Sequence, residues 1–128
     1  MFFGSEGEAP ASILALEDYP SLRIVRLQGP INRKAVAEIE RFRKWVVRQR
    51  GFKHKHVLLD FKNVTEVDTA AVAGIIQEVS ELKAARFRLA AIHLNKEVRS
   101  MFEVLKVEKL IVFYDNESEA LDDLTHFH

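Results

Sequence analysis

The segment from Val57 to Ala71, V-L-L-D-F-K-N-V-T-E-V-D-T-A-A, constrains the fold more than any other part of the chain. His56 to Phe61 is a short Val/Leu/Phe run with the character of a strand buried in the centre of a sheet. A short polar turn then delivers Asp68 and Thr69 to an apolar helical pattern that runs from Thr69 to Ala85. Asp and Thr suit the first turn of a helix, because their side-chain oxygens accept from N–H groups that have no intrahelical partner. Capping alone accounts for both residues. The same geometry would also hold a phosphate: phosphothreonine at 69 would place a charge of about −1.5 to −2 where the helix dipole tolerates it and a docked partner would feel it.

The flanking sequence supplies the rest of a layered fold. Ala11 to Leu16 and Leu22 to Gln28 are partly alternating apolar stretches, which predicts a hairpin with Glu17-Asp18-Tyr19-Pro20-Ser21 as a five-residue connection and Gly29-Pro30 as its end. Between Arg33 and Arg50, Ala35, Val36, Ile39, Phe42, Val46 and Val47 fall on one helical face, opposite Arg41, Lys44 and Arg48, and Gly51 closes the helix. Arg86 to His93 predicts a strand, Lys96 to Leu105 a helix, Leu110 to Tyr114 a strand and Ser118 to Leu124 a last short helix. The order β-β-α-β-α-β-α-β-α implies an α/β fold with a mixed sheet, since parallel neighbours need helical crossovers while the hairpin pair runs antiparallel. One domain spanning 11–124 is expected, with a loose leader over 1–10 and a frayed end over 125–128.

Composition narrows the function classes. The 128 residues are 48% hydrophobic with no net charge, as in a globular protein. No apolar run approaches the roughly 20 residues needed to span a bilayer, so membrane insertion is not expected, and M-F-F-G-S-E-G-E lacks the basic and apolar parts of a signal peptide. The absence of cysteine removes disulfides, thiolate metal sites and a cysteine nucleophile, and is compatible with a cytoplasmic location. Charge is unevenly spread: Arg33 to His56 carries a net +7 and Val57 to His128 a net −5, so opposite sides could meet different partners.

The motifs of catalysis are missing. Neither G-x-G-x-x-G nor G-x-x-x-x-G-K-[ST] occurs, which argues against nucleotide hydrolysis and Rossmann-type redox chemistry. His54 and His56 alternate with lysines that would oppose a cation, and His126 and His128 lie at the terminus, so no metal site is expected. Glu117, Glu119, Asp122 and Asp123 read as a solvated helix face. The basic stretch Arg41 to Lys55, with Trp45 and Phe52, carries no nucleic-acid motif, so direct nucleic-acid binding is not expected. No nucleophile–base pair or cofactor loop emerges, and the expected protein is not an enzyme and needs no cofactor.

At about 100° per residue, Ala70, Ala73, Gln77, Ser80 and Glu81 turn away from the Val72, Ile75, Ile76 and Val79 stripe. The first turns of this helix thus offer solvent a small, nearly flat face that a partner could approach closely. Alanine is also simply a good helix former, which explains its presence without any task.

With the strand, the Asp-Thr junction, the small-residue helix and the element order in hand, the chain resembles the STAS domain family, found in anti-sigma factor antagonists and sulfate-transporter tails. The resemblance covers roughly Ile13 to Leu124. V-L-L-D-F-K-N-V-T-E-V-D-T-A-A-V-A-G-I-I carries it best, supported by L-Q-G-P-I, L-N-K-E-V-R-S-M-F and F-Y-D-N-E-S-E-A-L. It implies a non-enzymatic regulatory module that binds a kinase-like anti-sigma partner through the helix after the junction. The residues it points to here are Asp68, Thr69, Ala70, Ala73 and Gln77. Similar antagonists carry the phosphate two residues after the Asp, where this chain has Ala70; Ala71 stands in place of the usual glycine. Alanine has no hydroxyl, so phosphorylation at 70 is ruled out, and Thr69 is left as the possible phosphosite beside an unmodified binder or control residing in the partner. The resemblance equally allows a soluble subunit or tail of a lipid- or anion-transport complex, with transporter subunits as partners. Nucleotide or small-ligand binding at the junction is conceivable from the family, without specific support in this sequence.

Overall fold

The computed structural model describes residues 13–48 and 56–125, the side chains of 45–48 and 108 excepted. Its elements are β1 (Ile13–Tyr19), β2 (Leu22–Ile31), α1 (Arg33–Arg48), β3 (His56–Val67), α2 (Thr69–Ala84), β4 (Arg88–Ile92), α3 (Lys96–Val104), a single 3-10 turn (Val107–Lys109), β5 (Val112–Tyr114) and α4 (Glu117–Thr125). The strands form one mixed sheet in the order β1-β2-β3-β4-β5, antiparallel between β1 and β2 and parallel thereafter. The α/β class and element order expected from the sequence are those observed. The leader over 1–10, Gly51, His54, His126 and His128 lie outside the described residues.

Alternation along the strands sends side chains to two separate cores. Val25, Leu27, Val57, Phe61, Leu89 and Ala91 face α1, α2 and α3, meeting Phe42, Val72, Ile75, Val79 and Phe102. Leu22, Ile24, Leu58, Ala90 and Ile92 face the other way, onto Ala120 and Leu124 of α4. Three helices therefore cover one face of the sheet and the short last helix covers the other. Among the described residues, no helix is long and apolar enough to cross a membrane.

Several boundaries differ from the sequence expectation. The hairpin connection is two residues, Pro20 and Ser21, because Tyr19 still pairs with Leu22. Strand β2 does not stop at Gly29-Pro30: it runs to Ile31 through a register shift, with Gly29 at φ +73° and Pro30 opposite Glu66. Among the described residues, β1 pairs with β2 no further than Leu27, so Pro30 lies past that pairing. Strand β3 is twice the length expected, since a bulge after Asp60 lets Val64 and Val67 reach the core while Asn63, Thr65 and Glu66 stay exposed.

The end of α2 also moves, because Arg86 adopts the left-handed conformation at φ +71°. Phe87 N–H donates to Leu82 O at 3.0 Å and Arg86 N–H to Lys83 O at 2.9 Å. These two bonds close a Schellman turn, and β4 begins only at Arg88.

Candidate functional site

The Asp-Thr junction lies where β3 leaves the sheet. Asp68 N–H donates to Ile31 O at 2.9 Å, tying the junction to the end of β2. Its carboxylate accepts from Ala70 N–H at 2.8 Å and so caps α2. Thr69, Ala70, Ala73 and Gln77 are all exposed, and Gln77 donates to Glu81 Oε1 at 3.0 Å one turn on. The five residues singled out in the sequence thus share one solvent-facing strip on the first half of α2. Ala71, in contrast, is buried at 2% exposure, so it belongs to the packing rather than to that strip.

Two contacts fix this strip from behind. Gly74 abuts Val36 of α1, where a Cβ would come within 2.6 Å of Val36 Cγ1. One turn further, Arg43 Nε donates to Glu78 Oε1 at 2.5 Å, an ion pair with both side chains largely removed from solvent. Helical periodicity predicts neither as a core contact: Glu78 sits between the apolar stripe and the open face, and its burial follows from having Arg43 to meet.

A second polar centre lies on the α4 side of the sheet, and the sequence reading did not anticipate it. Arg26 of β2 and Asp60 of β3 are directly paired in register, and Arg26 Nη1 donates to Asp60 Oδ2 at 2.7 Å. The same guanidinium binds Glu17 of β1 through Nε at 2.5 Å and Glu117 of α4 through Nη1 at 2.7 Å. Asp60, with a side chain only 3% exposed, also accepts from Lys62 N–H at 2.9 Å and contacts His93 Nδ1 at 2.8 Å. His93 itself has φ +61°, just past the end of β4.

One buried carboxylate therefore joins the middle of β2 and β3 to the end of β4, while Arg26 fastens β1 and the start of α4 to them. Burial pushes the Asp60 carboxyl up, yet the bonds from Lys62 N–H, His93 and Arg26 outweigh it and hold the group below the ordinary aspartate range. The hydrogen bond from Arg26 lowers Glu17 in the same way, and Glu17, Glu117 and Asp60 together raise Arg26 further into its charged range. Glu117 is accordingly not part of a purely solvated face, as the sequence had suggested; it is a ligand of Arg26. Asp123, from the same helix, accepts from the Tyr114 hydroxyl, and burial together with that bond pushes the phenol up to about 12. His56, considered with the lysine-flanked histidines, is buried in the first position of β3. Among the described residues, no group of three or more His, Cys, Asp or Glu is arranged to hold a metal ion.

Comparison with known proteins decides the lineage of this arrangement. The family model for the STAS domain matches residues 14–120. The chain belongs to the STAS domain family. Among solved structures, this STAS chain is similar to the anti-sigma factor antagonist SpoIIAA in its unphosphorylated form, with 18% identity and a TM-score of 0.69 over 89% of this chain and 97% of that one. A putative anti-sigma factor antagonist from Thermotoga maritima aligns with 17% identity and a TM-score of 0.68, covering 87% and 93% of the two chains. The murine Solute Carrier 26 family member A9 anion transporter also aligns, at 15% identity and a TM-score of 0.66, over 86% of this STAS chain but 18% of the transporter. At such identities these structures share the fold. A comparison with curated protein sequences found no match.

Proposed function

We propose that this STAS domain is a non-enzymatic, cytoplasmic protein-interaction module of the anti-sigma factor antagonist kind. It docks on a kinase-like anti-sigma partner through Asp68, Thr69, Ala70, Ala73 and Gln77, in a partner-switching system that controls transcription. The observation that carries this reading is the exposed strip of small side chains on α2, directly after a capped junction and backed by the close Gly74–Val36 contact. Small side chains let a partner's backbone approach closely, and a helix braced at Gly74 and Glu78 presents them with little conformational freedom to lose on binding. Several structural relatives are named as anti-sigma factor antagonists, which supports the choice of partner class.

In this reading the domain binds without modification at the usual position. Ala70 has no hydroxyl and its N–H is already taken by Asp68. Thr69 is exposed beside it and is the accessory site at which a kinase partner would act.

A second reading has a specific observation behind it, the likeness to an anion transporter of which the aligned part is 18%. Here the domain serves as a soluble subunit or tail of an anion- or lipid-transport complex, and the same strip meets transporter subunits.

Affinity co-purification from the native cell, with wild type beside Ala73→Arg, separates the two. Recovery of a kinase-like anti-sigma protein, lost in the variant, is the expected result. Recovery of transporter subunits in its place would transfer the domain to the membrane complex, and equal capture by the variant would remove α2 as the interface.

A further inference from the structure

A cavity of about 50 Å³ lies beneath α1 and α2, floored by Val25, Val57 and Phe61 of the sheet and roofed by Phe42, Ile75 and Val79. A single water needs on the order of 10–15 Å³, so the described residues leave a space of several waters' size in a core that close packing would normally fill. Among the described residues, its walls offer water nothing to bond. Among the described residues, the charged side chains that line it are Arg43 and Glu78, and each is occupied by the other at 2.5 Å.

We propose that this cavity is a binding site for one compact, neutral, apolar molecule, up to the size of a single aromatic ring. Neutrality follows from the Arg43–Glu78 ion pair, because each charge bordering the cavity already has its counter-ion and a charged ligand would enter without one. Compactness follows from the volume, since larger ligands occupy pockets of roughly 300–1,000 Å³. The favourable change is dispersion and burial: lining atoms that face empty space regain close neighbours when the void is filled.

The site has a natural output. Ile75 and Val79 line the cavity from the same helix that carries Ala73 and Gln77 on its opposite side. A molecule seated against them braces α2, so occupancy adjusts the presentation of the docking strip by a route that needs no phosphate. This output rests on the partner-docking reading above, whereas the binding site itself does not.

Benzene is a suitable probe, added to isotope-labelled full-length protein while methyl resonances and the thermal midpoint are followed. The expected result is saturable shifts confined to methyls of Val25, Val57, Ile75 and Val79, with a midpoint rise of a few degrees at about ten times Kd. Val79→Phe, which fills the void from its own roof, should abolish both effects; if that variant fails to fold, the wild-type shift pattern still decides. No shifts, or shifts centred on the exposed methyls of Val104 and Val112, would overturn the site. A silent wild type alongside a responsive variant lacking residues 1–10 would also overturn it, by assigning the cavity to the chain's own aromatic leader. Saturable binding with unchanged partner capture would uphold the site and overturn its link to docking.

Discussion

Gly74 of α2 and Val36 of α1 approach so closely that a Cβ at residue 74 would stand 2.6 Å from Val36 Cγ1. The glycine's role is contact distance, not backbone freedom, since it sits inside a regular helix. Gly74→Ala would gain about 1 kcal/mol of helix propensity, but overpacking a tight contact costs typically about 1–3 kcal/mol, and the β-branched Val36 has little χ1 freedom to swing its Cγ1 aside. A net loss of up to about 2 kcal/mol is expected in urea unfolding. Val36→Ala added to Gly74→Ala should recover most of it, and additive losses in the double mutant would contradict the contact as the cause.

Asp60 is expected to set the acid limit of the fold. Its carboxyl is held below the ordinary range in the folded state, so its contribution is fully present above the unfolded value of about 3.9 and is lost as pH falls through the lower folded value. Glu17 is shifted in the same direction by Arg26 and adds to the same limb. Asp60→Asn should flatten the dependence of stability on pH below about 4. At neutral pH it should cost about 3 kcal/mol, the low end for removing one partner of a buried pair, because Arg26 keeps Glu17 and Glu117. An acid unfolding curve that Asp60→Asn leaves unchanged would show that other carboxylates govern the limit.

The order of elements was legible because apolar periodicity switches cleanly between strand and helix, and because Asp68 caps α2 as its type predicts. The length of β3 was not. Its bulge after Asp60 breaks the alternation, so Asn63 to Val67 reads as a turn although Val64 and Val67 are buried. The Arg26–Asp60 centre left a signal that periodicity alone passes over. Each residue occupies the inward position of a strand whose like-facing neighbours, Ile24 and Leu58, are fully buried, and opposite charges at two such positions are best placed together. Glu117 could not have been assigned this way, since its approach to Arg26 depends on where α4 lands. The strip on α2 was legible for the opposite reason: it needs only helical geometry and a knowledge of which face is apolar.

Arg86 carries a conformational cost that the sequence does not advertise. It holds φ +71° at the Schellman turn after α2, a position where glycine is preferred because Cβ crowds the backbone. Its side chain is exposed, so little packing is lost on truncation. Arg86→Gly should raise stability by about 0.5–1 kcal/mol, visible as a shift of the urea midpoint without a change in slope. A loss of stability would mean that the side chain makes a contact worth more than the strain it carries.

Ala70→Glu separates folding from docking. Position 70 is exposed in the first turn of α2, and its role in the cap uses the backbone N–H, which the substitution leaves in place. A carboxylate there complements the positive end of the helix dipole and should stabilise the domain by about 0.3–1 kcal/mol. The same charge stands in the centre of the proposed strip, where a partner packed against small side chains would have to desolvate it or move away. Thermal unfolding should therefore show an unchanged or higher midpoint, while capture of the kinase-like partner falls at least tenfold. Binding that survives the substitution would place the interface elsewhere, because a folded variant with a bulky charge at residue 70 cannot present the flat face on which close approach depends.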